Sequence, residues 1–176
     1  MYNRADLRGQ RGVYTPQMVI NGRRAAVGSK RRTVLENIRK LERPAIKIDI
    51  VEQTPPTTTN ADAAGIRIEL TGDFSSVPEE THVWLAVFDI KETTQITTGE
   101  NHDKTLTSHH MVRQLNLLSP PGGYTTLEAA GNALQLDTGV VLSEGQGCAV
   151  LLQGSNLGPV HGASYCPKSL WKPKKV

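Results

Sequence analysis

The two cysteines of the chain, Cys148 and Cys166, are the side chains best suited to redox, nucleophilic or metal chemistry. Their spacing matches neither a zinc site nor a redox dithiol motif. Cys148 begins an apolar strand, which favours a buried, inert thiol over an activated thiolate. A closing hairpin formed by residues 148–153 and 158–163 would instead bring Cys166 near Cys148. Both interpretations remain open, and a structural disulfide would require an oxidising compartment.

The histidines and acidic residues do not form a recognisable metal or catalytic pattern. His109 and His110 are adjacent, so on a strand they point to opposite faces and cannot chelate one ion together. Glu100, Asn101 and Asp103 fit a polar turn better than an ion site. The chain shows no Ser/His/Asp arrangement, paired carboxylates or glycine-rich phosphate loop above chance. The sequence therefore predicts no metal, no cofactor and no catalytic residue for the chain as given.

Positive charge is concentrated in the first quarter of the chain. The formal net charge is +3, yet residues 1–43 hold eleven Lys and Arg against three Asp and Glu. Nucleic-acid binding is disfavoured because these cations are spread around one helix and its end, without interleaved aromatic residues for base stacking. No apolar run is long enough for a membrane span, and the residues after Met1 do not resemble a signal peptide. Taken from Met1, the chain would be cytoplasmic.

Two types of periodicity divide the chain. Asn21-Gly22 predicts a tight hairpin turn between two short strands, and residues 29–42 show the apolar spacing of an amphipathic helix with Ser29 as N-cap. After Pro44 the apolar residues alternate with polar ones, as in half-buried strands. About seven short strands separated by turns predict an antiparallel β-sandwich.

Several segments together resemble a known bacterial family. The stretch from Val13 to Gly22, Val-Tyr-Thr-Pro-Gln-Met-Val-Ile-Asn-Gly, is followed by Val-Gly-Ser at residues 27–29. Segments 98–107, 109–113 and 148–153 fit the same family in order and spacing. The chain resembles domain-of-unknown-function family 1223, a family of secreted proteins with a thioredoxin-like fold. This resemblance implies periplasmic or secreted localisation.

The resemblance implies an α+β fold, in which the C-terminal half of a thioredoxin-like domain precedes an antiparallel, Ig-like β-sandwich. The expected parts are a hairpin and helix in residues 1–43, a β-sandwich in residues 44–167, and a basic disordered tail in residues 168–176. A Cys-x-x-Cys motif would lie upstream of the hairpin, and this sequence does not contain it. We therefore expect an N-terminally truncated chain that is not redox-active.

The resemblance also implies a substrate site at Thr15 and Pro16. In thioredoxin-like proteins the corresponding bond is cis, and the backbone of the preceding residue pairs with an extended substrate peptide. Three functions follow: a peptide-binding or structural protein without catalysis, a fragment of an exported thiol–disulfide oxidoreductase, or a surface interaction module carried by the sandwich. Apolar residues left without partners in residues 1–43 predict self-association and protease sensitivity there.

Overall fold

The protein is built almost entirely from antiparallel strands. The computed structural model describes residues 16–42, 46–53, 65–78, 80–118 and 132–171. Every strand pairing in these ranges is antiparallel. The strands are β1 (Gln17–Ile20), β2 (Arg24–Val27), β3 (Lys47–Gln53), β4 (Gly65–Thr71), β5 (Thr81–Gln95), β6 (Thr105–Leu117), β7 (Ala133–Asp137), β8 (Gln146–Gly154) and β9 (Val160–Tyr165). The described part of the chain has one α-helix, α1 (Arg31–Arg39), and two 3-10 turns, Phe74–Ser76 and Lys168–Leu170.

The predicted α+β class, with half of a thioredoxin-like domain, is therefore wrong, and the fold is β-rich. A thioredoxin-like arrangement needs helices packed against a central sheet. Here α1 has nine residues and buries only Val34, and the β1–β2 hairpin forms a two-stranded sheet of its own. The period-two alternation after residue 46 dominates the fold, because each strand that it produces has an apolar face to bury.

The N-terminal unit consists of β1, β2 and α1. The predicted hairpin turn is present: Asn21 and Gly22 have φ angles of 50° and 62°, as a two-residue turn of the primed type requires. Ile20, Ala26 and Val34 form a small core of their own. The apolar residues of this unit are thus partly buried within the chain.

The helix is shorter than the sequence predicts. Ser29 is not the N-cap; Lys30 occupies that position and makes no side-chain capping bond. The Lys30 N–H bonds the Val27 carbonyl at 2.9 Å, so the turn after β2 continues one residue longer than the serine pattern indicates. Without a polar cap, α1 depends on packing against the hairpin rather than on its own ends.

Two larger sheets enclose the main core. One has the order β3-β4-β7 and the other the order β6-β5-β8-β9. Alternate residues of four strands face each other across the core. These residues are almost completely buried: Ile48, Ile50, Ile66, Ile68, Leu70, Val83, Leu85, Val87, Val150 and Leu152. β9 approaches β3 closely, because a Cβ on Gly162 would lie 3.1 Å from the Ile46 carbonyl oxygen. Glycine at this position lets the two sheets meet at their edges.

The longest hairpin extends past the sheet to which it belongs. β8 pairs with β5 only over Thr81–Asp89, whereas β6 pairs with β5 as far as Gln95. The segment 91–95 and the facing segment 105–109 therefore form a two-stranded arm. The sequence predicts a strand at 82–89 and an extended stretch at 105–118. It does not predict the arm, because the alternation of apolar residues in β5 ends near Asp89, the last residue of β5 that pairs with β8.

The N-terminal unit contacts the rest of the chain through its turn. The Val160 N–H donates to the Asn21 carbonyl at 3.0 Å. A Cβ on Gly22 would approach the Gly158 carbonyl oxygen to 2.0 Å, which no side chain tolerates. Glycine is thus required at residue 22 for two reasons, the positive φ angle and the close approach to Gly158.

Candidate functional site

The predicted substrate site is only partly within the described residues. Thr15 lies outside them, so its backbone and the bond that joins it to Pro16 are not described. Pro16 is exposed before β1, and its carbonyl accepts a hydrogen bond of 2.7 Å from the Gly28 N–H. This bond fixes Pro16 to the turn after β2. Peptide binding at Thr15 and Pro16 stays a prediction.

The two cysteines form a disulfide in the core. Cys148 and Cys166 have Cα atoms 5.2 Å apart and are 0% and 2% exposed. The Cys166 N–H also donates to the Cys148 carbonyl at 2.9 Å, so backbone and side chains join the same two positions. Thiol–disulfide exchange needs access by an attacking thiolate, and burial denies it. The arrangement fits a structural cross-link rather than a redox site.

The described residues hold no group of three metal-ligating side chains close enough to bind one ion. His109 is paired with Lys91 in the arm, while His110 has a φ angle of 52° and contacts the Phe88 ring at 4.7 Å between centroids. The two histidines therefore have separate surroundings. Within the described part of the chain, no helix is long and apolar enough to cross a membrane.

The outer face of the three-stranded sheet has the polar character expected of a surface in water. Arg67 and Asp137 form a two-bonded ion pair across β4 and β7, with N–O distances of 2.7 and 3.2 Å. Asp137 raises the pKa of the Arg67 guanidinium through this hydrogen bond and its charge. The Gln135 amide donates to Glu69 on the same face. This sheet has one apolar and one hydrated face, as antiparallel sheets commonly do.

The outer face of the four-stranded sheet is different, because it is apolar. Directly paired residues share a face, so Trp84 lies beside Leu117 on one side and Leu151 on the other. The large apolar side chains of this outer face are Trp84, Val112, Leu115, Leu117, Leu151 and Tyr165. Val112, Leu115 and Tyr165 are each more than half exposed. A continuous apolar surface of this kind marks an interaction site on a protein surface.

Strand β6 carries its apolar residues on the side away from the core. Leu115 and Leu117 pair with outward residues of β5, whereas Gln114 and Asn116 pair with the core residues Val87 and Leu85. The three-stranded sheet does not cover this part of β6, since Gln114 on the core side is exposed. In a simple two-sheet protein the apolar side would face inward. The reversed pattern leaves Leu115 and Leu117 exposed on the outer side of β6.

An aromatic cluster closes one end of this outer face. Phe88 is 2% exposed and is surrounded by the rings of His110, Tyr165 and Trp171, at centroid distances of 4.7, 6.0 and 5.7 Å. Trp171 is held in place by a 2.8 Å bond from its indole N–H to the Cys166 carbonyl. The disulfide thus fixes the segment that supports the cluster.

Two electrostatic features flank the face. Arg113 donates to Asp89 at 2.6 Å, and this carboxylate raises the pKa of the Arg113 guanidinium by hydrogen bonding and charge. At the other end, burial and then the charge of Arg23 lower the pKa of His161. The Arg113–Asp89 pair leaves β6 without an unbalanced charge, because Arg113 is the only charged residue of that strand.

The sequence contains a signal for this face that the alternation of apolar and polar residues does not reveal. Residues 83–88 of β5 and 148–152 of β8 are continuous apolar runs rather than alternating ones. Continuous runs are typical of strands that are buried on both faces. Within the described residues, only Trp171 and the rings beside it cover part of the outer side of these strands, around Phe88, and apolar side chains remain exposed over the rest of that face.

The comparisons with known proteins identify a family without assigning an activity. The family model described as "Protein of unknown function (DUF1223)" matches residues 2–153. No curated protein and no solved structure matches the chain. The resemblance inferred from residues 13–22 and the later segments is confirmed, whereas the thioredoxin-like description is not. Since the match covers most of the sequence, the chain belongs to the DUF1223 family.

Proposed function

We propose that this protein is a non-catalytic binding module that takes an extended polypeptide segment onto the free edge of β6. The observation that carries the proposal is the edge itself. β6 is the outermost strand of its sheet over thirteen residues, and within the described residues it has no main-chain partner on its far side. Unpaired N–H and C=O groups in a row form a template for an added strand.

The other sheet edges are less suitable. β3, β7 and β9 have seven, five and six residues, which is about half the length of β6. β6 contains neither Lys nor Pro between Thr105 and Leu117, and Asp89 balances its single Arg113. Of the four edges of the two larger sheets, β6 is the longest, and we therefore place the peptide there.

The register of β6 predicts where the peptide lies. The pairing with β5 is irregular around Arg113, and we place the peptide on the regular run after it, Gln114–Leu117, where β5 is itself paired with β8 on its other side. Side chains of an added strand would alternate between the apolar side of Leu115 and Leu117 and the polar side of Gln114 and Asn116. The preferred ligand is thus an extended peptide with an apolar residue at every second position.

The disulfide supports a location outside a reducing cytoplasm. Cys148 and Cys166 are buried and joined, and such cross-links persist in exported proteins. We infer that the protein works in the periplasm or outside the cell, in agreement with the expectation for its family. Thiol trapping followed by mass spectrometry on protein taken directly from cells tests this inference. A reduced pair in the native host would contradict it.

A peptide-display selection against the full chain tests the binding function. We expect the enriched peptides to share apolar residues at alternate positions. Hydrogen exchange in the presence of a selected peptide should increase the protection of amides in Gln114–Leu117 and leave β3 and β7 unchanged. The matched control is the same peptide with alternate amides N-methylated, which keeps the side chains but removes main-chain donors. We expect the methylated peptide to bind at least tenfold more weakly, which corresponds to about 1.4 kcal/mol.

Four results would refute the proposal. The first is a selection that enriches no peptide. The second is an enriched set without a period-two pattern. The third is equal binding of the N-methylated peptide, because main-chain pairing would then contribute nothing. Protection on another strand would place the site elsewhere and would refute the assignment to β6.

A further inference from the structure

We infer that the outer face of the four-stranded sheet is the contact surface for a second copy of this chain, packed face to face. The face consists of the outward side chains of β6, β5, β8 and β9. It adjoins the proposed peptide site, since an added strand would place its apolar side chains beside Leu115 and Leu117, but the contact uses the side chains of the face rather than the main chain of the β6 edge. The inference therefore does not depend on the peptide-binding function.

The area of the face agrees with a stable dimer. Four strands at a spacing of about 4.8 Å span roughly 19 Å, and the nine residues over which β8 pairs with β5 extend for about 30 Å. The product is about 600 Å² for each copy, or about 1,200 Å² in total, which reaches the range of specific interfaces. A second sheet of the same dimensions is the partner that covers the whole face, because sheets pack face to face at about 10 Å.

The charge of the face also fits a second copy. The outward positions of residues 84–88, 147–151 and 163–165 include no Asp, Glu, Lys or Arg. On β6, the outward residues Leu115 and Leu117 are apolar as well. A symmetric contact places the same residues of both copies near each other, so any charge here would meet its like. The uncharged face can contact itself without that repulsion.

The opposite surface of the protein serves as an internal comparison. The outer face of the three-stranded sheet carries the Arg67–Asp137 ion pair and the Glu69–Gln135 hydrogen bond. Both faces belong to sheets that cover the same core, and only one is apolar on the outside. Burial of the core alone does not explain this difference, whereas contact with a second copy does.

Sedimentation velocity of the full chain over a range of concentrations tests the inference. We expect a dimer with a dissociation constant in the micromolar range. Leu115→Asp on β6 and Ala163→Asp on β9 place carboxylates at the two sides of the face, and each should weaken the dimer by about 100-fold or more. The matched control is Val51→Asp. Val51 is 41% exposed on the outer face of the other sheet, opposite Arg67, so this variant should dimerise normally.

Leu115 and Ala163 are exposed in the single chain, so the monomeric variants should keep the circular dichroism spectrum of the parent. A parent chain that stays monomeric up to about 100 μM, well above the dissociation constant expected for an interface of this area, would overturn the inference. So would dimerisation that persists in both variants. If Leu115→Asp dissociates the dimer and Ala163→Asp does not, the copies join through their β6 edges, and the face-to-face contact is refuted.

Discussion

Breaking the disulfide between Cys148 and Cys166 should destabilise the protein without removing any of its atoms from the core. The two residues are separated by 18 positions and lie fully inside the protein. Reduction leaves both sulfur atoms in place, so it creates no cavity. The expected loss therefore comes from the greater freedom of the unfolded chain, in which the loop is no longer closed.

The magnitude follows from the length of that loop. For a separation of 18 positions, the loop-closure entropy corresponds to about 3 kcal/mol at 25 °C. Total stabilities of small proteins are about 5–15 kcal/mol, so this is a large fraction. With a urea dependence of roughly 1.5–2 kcal/mol per molar, the unfolding midpoint should fall by about 1.5–2 M urea.

Urea unfolding of the oxidised protein, with and without a phosphine reductant, measures the effect. The control is the double variant Cys148→Ala with Cys166→Ala, whose midpoint the reductant should leave unchanged. Because Cys148 and Cys166 are 0% and 2% exposed, reduction of the folded protein should require unfolding. The reduction rate should then rise with urea and become independent of the reductant concentration.

Two results would refute this account. If the oxidised and reduced proteins unfold at midpoints within about 0.3 M urea, the cross-link does not restrict the unfolded chain as loop entropy requires. If the folded protein is reduced rapidly, in proportion to the reductant concentration and without urea, the disulfide is accessible. The redox function that burial argues against would then need to be reconsidered.

Three further substitutions and titrations test other parts of the structure. Leu85→Ala should lower the free energy of unfolding by about 2–5 kcal/mol in urea titrations, because Leu85 is fully buried between the sheets. Gly22→Ala should make residues 16–42 more sensitive to limited proteolysis, since its Cβ would approach the Gly158 carbonyl oxygen to 2.0 Å; Gly139→Ala, at a similar φ with no atom within 4 Å, should not. Arg23→Gln should raise the lowered pKa of His161 in an NMR titration, while burial keeps it below 6.5. Because the pKa of His161 is lower in the folded protein, the unfolded chain binds a proton at this residue at a higher pH. The contribution of His161 to stability should therefore be fully present above about pH 6.5 and should be lost as the pH falls below it.

The sequence predicts the local elements of this protein better than their assembly. The Asn21-Gly22 turn, the alternating strands and the closing hairpin at 148–163 follow from short-range rules, because turn geometry and alternation involve neighbouring residues. The α+β class is wrong because a nine-residue helix that buries only Val34 does not organise a domain. Whether residues 1–43 and 44–167 are separate domains stays a prediction.

The candidate site was harder to predict than the fold. A face of a sheet is a property of four strands, and its residues come from positions more than 80 apart in the chain. Register decides which side of β6 is apolar. Because the irregularity around Arg113 shifts the alternation by one residue, counting every second residue from Leu106 places Leu115 and Leu117 on the wrong side of the sheet. The sequence contains the continuous apolar runs of β5 and β8, but it does not show which of their two faces is internal.

The two outer faces of the protein differ in polarity, and this difference bears on function independently of any sequence motif. An antiparallel sheet commonly has one face on the core and one polar face in water, so the outer sides of both sheets should be polar unless something covers them. The three-stranded sheet meets this expectation with its charged pairs, and the four-stranded sheet does not. A large apolar face exposes the protein to aggregation unless a partner covers it. The distribution of apolar residues therefore supports a role in binding, with the disulfide and the aromatic cluster holding one end of the binding face in place.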